Sequence, residues 1–502
     1  MNRVQSAILV VFAAFAGVAC AFGIIGTAVL AALGIGLLGL WLIFSKPQMA
    51  LKFCFVILML GQIKFRWRDP GAALSGNIDG QVMFELAMYG VVLLISLRNL
   101  LAMTGRPLVL TRNEGMLLLY IALAIVSVSW SVAPRITTVR SAQLVVLFVF
   151  TFAAVRCLGP AELIKILGIS LLFGVLLLAA MAVVFPFANG SRVAHEITEF
   201  SWEKQARFTW FAVQPINAGA QTGAVIVFVF CCGSYLRRGW RRKLLGLPLW
   251  SYLPPLLLIL LATRSRGPLL ATLIAMITVA LRRYRRLRFA WWFGCIAAAA
   301  LFVAVLNMNR NILTQPSDLA SNPNPISKFL MRGQSEADFF SMSGRGGLFQ
   351  AEEGLFLARP ILGYGYVASR DVLLDVLPWA GEAHNAFGET MLDLGLVGTI
   401  IIWVPLLVTL LQTLFKPAAT GDDWTQAMIA AWLIFMVVDG FSEAGFAGVV
   451  SYLPVLFFTV MFSHRETLRA ARRVGARAFD PARRRGMDAR AGNLRRSIGG
   501  IA

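Results

Sequence analysis

Residues 163–185 read LIKILGISLLFGVLLLAAMAVVF, a stretch almost wholly aliphatic, with Lys165 its one charge. A helix rises ~1.5 Å per residue, so a run of this length crosses ~30 Å of hydrocarbon. Inside a bilayer only a helix or a closed barrel satisfies every backbone group. The stretch has no two-residue alternation, which a barrel strand would show. It therefore predicts a membrane-spanning helix, and much of the chain repeats the pattern.

Comparable apolar runs lie at 7–25, 28–44, 50–63, 83–100, 114–129 and 139–155 before it. After it come 211–235, 246–262, 268–282, 290–306, 390–412, 425–440 and 446–463. The expected architecture is all-α, a polytopic transmembrane helix bundle of about 12–14 spans, with 50–63 the least secure. Composition agrees: 58% of the 502 residues are hydrophobic and only 14% charged, with mean hydropathy +0.73. A soluble core cannot hide that much apolar surface.

The formal net charge of +21 would suit nucleic acid if it were spread over one face, but it is clustered. Arg237, Arg238, Arg241, Arg242 and Lys243 form one group. Arg282, Arg283, Arg285, Arg286 and Arg288 form a second, and the tail from His464 onward is rich in arginine. Each cluster abuts an apolar run, as cytoplasmic loops do under the positive-inside rule, and would attract anionic membrane lipid. The expectation is a multi-pass membrane protein with both termini cytoplasmic and no nucleic-acid partner. Of the basic clusters, only Lys64, Arg66 and Arg68 fall on the wrong side. The six cysteines lie in or beside apolar runs and imply no disulfide framework. Arg3 followed by an apolar run resembles a secretion signal, but the apolar sequence continues to Phe44, so a retained hairpin is expected.

The organisation read from these runs is N-terminal hairpins over 1–113, a transmembrane core over 114–463 and a basic cytoplasmic tail over 464–502. Within the core, 307–389 is a long outer loop containing short helices. A loop of that length is functional or disordered. Residues 346–357 read as a short amphipathic helix stopped by Pro360, before the turn Gly363-Tyr364-Gly365-Tyr366.

The chain holds no Walker loop, dinucleotide fingerprint, His-Glu-x-x-His or Cys-x-x-Cys, so no cofactor and no metal site is expected. What remains is a set of polar residues at the outer ends of spans. His384 and Asn385 close the long loop just before a span. Glu389 and Asp393, four residues apart inside it, share one helical face. Carboxylates within a span are costly and functional by default, and an imidazole beside them suits a general base. The alternative is that Glu389 merely complements the helix N-terminus. Thr263-Arg264-Ser265-Arg266-Gly267 forms an outer turn whose guanidiniums match phosphate oxygens, or else anchor lipid headgroups. Arg207 precedes a Pro-kinked span with Asn217. Arg135 and Arg140 follow Trp130-Ser131-Val132-Ala133-Pro134, and Arg345 lies in the long loop. Their convergence suits an anionic substrate carrying a diphosphate.

In order and spacing these motifs resemble the O-antigen ligase/polymerase superfamily over roughly residues 115–450. The resemblance rests on His384-Asn385 with Glu389, Gly395 and Gly398, on the 263–267 turn, and on the 130–134 turn. Gly344-Arg345 ahead of Pro360-Ile361-Leu362-Gly363-Tyr364-Gly365 completes it. It implies a metal-independent glycosyltransferase of the bacterial inner membrane, with 307–389 as its periplasmic loop, using an undecaprenyl-diphosphate-linked glycan donor at the periplasmic face. His384 would deprotonate the acceptor hydroxyl, with Glu389 orienting His384 or the acceptor. Arg264, Arg266, Arg207 and Arg345 would hold the diphosphate, supported by Asn385, Asp393, Arg140, Asn217 and Glu443. The acceptor would be a second lipid-linked glycan for a polymerase or lipid A-core for a ligase, with polysaccharide export and chain-length proteins as partners. An exopolysaccharide-type polymerase is the reading preferred. A transporter of the same glycolipid would instead need charge along a central path, and mid-span charge is scarce.

Overall fold

The computed structural model describes residues 34, 45–60, 80–103, 110, 112–184, 208–210, 214–236, 243–244, 246–283, 345–377, 380–415, 423–445 and 452–478. The expected spans at 7–25, 28–44 (apart from residue 34) and 290–306, the residue Arg207, the first part of the long loop up to 344 and most of the basic tail lie outside them. The described chain is a bundle of α-helices with one two-residue hairpin. Six of its helices are long and apolar enough to cross a membrane, and three shorter apolar helices accompany them.

The helices are α1 (Pro47–Leu60), α2 (Gly80–Leu101), α3 (Arg112–Val126), α4 (Pro134–Leu158), α5 (Pro160–Val184) and α6 (Pro215–Tyr235). They continue with α7 (Leu253–Ala262), α8 (Arg266–Arg283), α9 (Arg345–Ala358), α10 (Ser369–Val376), α11 (Ala386–Phe415), α12 (Asp423–Asp439) and α13 (Tyr452–Ala478). Proline opens several of them at a position where its missing N–H costs nothing, and Pro134 and Pro215 do so for α4 and α6. Gly159, at φ 82°, ends α4.

α6 is the buried centre, packed by α7, α8 and α12. In lipid the driving force between helices is close packing rather than the removal of water, and α6 supplies the small residues this needs. Gly219 lies against Thr263 and Ser265, and Gly223 against Thr272 and Phe435. Trp432 stacks on Phe228 and donates its indole N–H to the Ala224 carbonyl at 3.0 Å.

The run of helices up and down sorts their ends into two groups. At one end lie Glu114 beside Arg156 (3.8 Å), Lys52 paired to Glu162 (2.8 Å), and Arg282 on the Thr413 carbonyl. At the other lie the 127–134 turn, the start of α6, the α7–α8 turn, the 360–368 loop, the start of α11 and the end of α12.

α11 is not one straight helix. It breaks at Gly395 (φ 63°, ψ −164°), and residues 360–365 insert into the break. The carbonyls of Leu392 and Asp393, which an intact helix would pair with Leu396 and Val397, accept instead from Tyr364 (2.8 Å) and Gly365 (2.8 Å). The freed N–H groups of Leu396 and Val397 donate to the carbonyls of Pro360 (2.8 Å) and Ile361 (3.3 Å). The exchange leaves both sides satisfied, which a break within a membrane demands. A Cβ on Gly395 would overlap the Ile361 carbonyl, so the residue there must be glycine on space as well as on conformation.

The 127–137 segment grips the same loop from outside. Trp130 donates to the Leu362 carbonyl (3.2 Å), Val132 N–H to Tyr364 (3.0 Å) and Thr137 to Tyr366 (3.0 Å). The Tyr366 N–H in turn donates to Ser127 Oγ (3.1 Å).

Candidate active site

Three turns meet at the end of the bundle where the 360–368 loop is stitched in. The first is 382–386, entering α11. Asn385 is the N-cap of that helix: its Oδ1 accepts from the Gly388 N–H, while its Nδ2 donates to Glu352 of α9 (3.1 Å) and to the Ala383 carbonyl (3.1 Å). His384, one residue earlier, is held at φ 51°. A left-handed backbone is costly for a side chain other than glycine, and such strain persists where the surroundings enforce it.

The second turn is 440–443, after α12. Gly440 accepts the Ala386 N–H at 2.7 Å, tying the two turns together. Glu443, only 3% exposed, faces His384 with Oε1 3.7 Å from Nδ1, and the imidazole is 21% exposed. The third turn is 263–266, between α7 and α8. Gly267 packs directly against Ser442, and Ser265 Oγ donates to the Pro215 carbonyl at the start of α6 (3.1 Å). Arg264, at φ 50°, is the second strained residue. Among the described residues only Arg264, Val367 and His384 are non-glycine positions with positive φ, and all three stand at this end.

The face read in α11 from its spacing is real, but it turns toward backbone. Glu389, 2% exposed, accepts from Ser369 Oγ (3.1 Å) and from the Ala383 N–H (2.9 Å). Asp393, 1% exposed, accepts from the N–H groups of Val367 (2.8 Å) and Ser369 (3.0 Å), closing the start of α10. Glu389 thus bears on His384 through Ala383, the residue just before it, and Asp393 through the strained Val367. Arg140 donates to Gln143 (2.9 Å) and faces Tyr366. Burial and then the neighbouring Asp393 carboxylate hold the Tyr366 phenol well above its ordinary range, with Arg140 opposing them.

Asn217 sits in the first turn of α6, beside the Ser265–Pro215 contact. Arg266 opens α8 next to Gly267 and Ser442. Arg345 opens α9, and its side chain lies outside the described residues. The structure therefore brings His384, Asn385, Glu389, Asp393, Glu443, Arg264, Arg266 and Asn217 into one connected region, with Arg140 at its Tyr366 side. Residues that sequence reasoning did not single out are Glu352, Ser369 and Gly440, each recognisable only by what it touches. Glu382 is another: Glu382, His384 and Glu443 each offer one metal-ligating atom, all within 4.8 Å of one another.

Chemically the region offers an imidazole poised beside a carboxylate, with a cationic turn one packed contact away. That set can accept a proton from a hydroxyl and stabilise an anionic leaving group. Comparison with known families matches residues 252–403 to the family described as O-antigen ligase. The matched segment runs from α7 through the 360–368 loop to the middle of α11, so it contains the arginine turn and His384. No curated protein matches the chain.

Proposed function

We propose that this chain, which belongs to the O-antigen ligase superfamily, is a glycosyltransferase that polymerises undecaprenyl-diphosphate-linked oligosaccharide repeats at the periplasmic face of the inner membrane. The observation that carries the reading is the meeting of His384, Glu443 and the Arg264–Arg266 turn at one end of the bundle. The opposite end holds the Arg156, Arg282 and Lys52 side chains, which supports a cytoplasmic placement there.

In the reaction an acceptor hydroxyl oxygen attacks the anomeric carbon of the donor sugar. The new C–O bond forms as the bond to the diphosphate breaks, and undecaprenyl diphosphate departs. The hydroxyl proton passes to His384 Nε2. Glu443, facing Nδ1, favours the tautomer that keeps the hydrogen there and leaves Nε2 free to accept. Arg264 and Arg266 bind the diphosphate and offset the charge that grows on it, the interaction that most lowers the barrier. The donor is already activated, so the arrangement needs only cations, a base and a held acceptor. Asn385, Glu389 and Asp393 act as positioning residues, since each fixes backbone around His384.

The second reading, transfer of the finished glycan to lipid A-core, is favoured by the matched family's description as a ligase. A deletion strain complemented with wild type or His384→Ala, at equal membrane levels, distinguishes the two. Long extracellular polysaccharide with wild type and accumulated single lipid-linked repeats with His384→Ala support polymerisation. Polymer that forms normally but stays off lipid A-core in the mutant supports the ligase. Wild-type glycans in the mutant would return the protein to a transport role.

A further inference from the structure

Next to His384 the protein concentrates more acid than sugar transfer requires. Glu382 and Glu443 place carboxylate oxygens within 4.8 Å of a His384 ring nitrogen and of each other. Asp439, one turn before Glu443, is 1% exposed, and neither of its carboxylate oxygens has a hydrogen-bond partner. Glu443 lies close enough to act on the charge of Asp439, and both act on the buried hydroxyl of Tyr452. That hydroxyl also lacks a hydrogen-bond partner. Two carboxylates buried side by side are costly unless a cation or a proton offsets them.

The donor set points to a particular cation. One imidazole nitrogen and two carboxylate oxygens suit zinc-class ions, whereas magnesium prefers oxygen alone and keeps its waters. Zinc bonds of about 2.0–2.2 Å place tetrahedral neighbours roughly 3.3–3.5 Å apart. The 3.7 Å between His384 Nδ1 and Glu443 Oε1 closes to that with a shift of a few tenths of an ångström. Asp439, one turn before Glu443, would add buried negative charge beside the ion.

We propose that Glu382, His384 and Glu443 bind one zinc-class divalent ion, backed by Asp439, and that the bound ion inhibits transfer. Inhibition follows from the ring chemistry: an imidazole ligated through Nδ1 carries its hydrogen on Nε2 and accepts no proton there. This second half rests on the reading of His384 as the base, and the binding half does not.

The test uses the full chain in detergent, stripped with chelator and titrated with Co²⁺ while its visible d–d absorption is followed. One equivalent should bind with the strong bands of a four- or five-coordinate site, and Zn²⁺ should displace it. His384→Ala and Glu382→Gln should each weaken binding tenfold or more. Glu382→Gln should keep its metal-free transfer rate and lose its sensitivity to Zn²⁺. Absence of saturable Co²⁺ binding, or undiminished binding in both variants, would overturn the site. Tight Co²⁺ binding with transfer unaffected by Zn²⁺ would overturn the inhibition and, with it, the role of His384 as base. Transfer by metal-free His384→Ala reports on that role separately.

Discussion

Replacing Gly395 with alanine should uncouple the 360–365 loop from α11. At φ 63° and ψ −164° the residue occupies a region essentially restricted to glycine, costing any other side chain about 1–3 kcal/mol. The new methyl would also overlap the Ile361 carbonyl. Relief requires moving the loop, which weakens the Leu396–Pro360 and Val397–Ile361 hydrogen bonds, together about 1–3 kcal/mol at the usual net value. The combined cost of about 2–6 kcal/mol is a large fraction of an ordinary folding free energy of about 5–15 kcal/mol. Healing the break offers an escape, because Leu392 and Asp393 could then pair with Leu396 and Val397. That route expels Tyr364 and Gly365, and with them the strained Val367 that Asp393 holds. Thermal unfolding of the purified variant, read beside transfer activity, should show lower stability and activity reduced well beyond the loss of folded protein. A variant that unfolds at the wild-type temperature with full activity would refute the inserted-loop argument.

Asp393→Ala strands the buried N–H groups of Val367 and Ser369, and at about 1–3 kcal/mol each it should sharply lower the yield of folded protein. Asp393→Asn, measured by the same unfolding assay, should cost roughly half as much. Asn385→Ala removes the cap of α11 and the partner of Glu352. It should lose about 1 kcal/mol of stability while lowering kcat more than it raises KM. Arg266→Ala should weaken donor binding about ten- to hundred-fold, the value of a charge-assisted hydrogen bond, with Arg266→Lys recovering part of it in a donor-binding assay. Glu443→Gln should lower kcat and shift the pH–rate profile, whereas a merely structural role would leave the profile in place.

Most of the helices were readable because membrane spans announce themselves by unbroken apolar length. The run at 246–262, expected as a span, instead opens with a strand at Leu247–Pro248 and a tight turn, and only Leu253–Ala262 is α-helix. The reading of 346–357 as an amphipathic helix stopped by Pro360 matches α9, and the turn placed at 263–267 falls between α7 and α8. The break in α11 was not readable. Gly395 stands in a run that is apolar but for Asp393 two residues before it, and the decisive partner, 360–365, is some 30 residues away in sequence. The spacing of Glu389 and Asp393 correctly placed both on one helical face, but spacing cannot say what that face meets. Here it meets the N–H groups of Val367, Ser369 and Ala383. Likewise Trp130 and Ser131 read as an interfacial turn, and only contact with Leu362, Tyr364 and Gly365 shows that the turn braces the loop.

The central claim is that His384 takes the acceptor proton during glycosyl transfer. The direct measurement is single-turnover transfer by purified wild type and His384→Ala on a labelled undecaprenyl-diphosphate oligosaccharide, with folding matched by thermal unfolding. A general base contributes about 10²–10⁴-fold, so the variant should bind the donor normally and release undecaprenyl diphosphate at least a hundredfold more slowly. A His384→Ala protein that forms the new glycosidic bond at the wild-type rate would contradict the account.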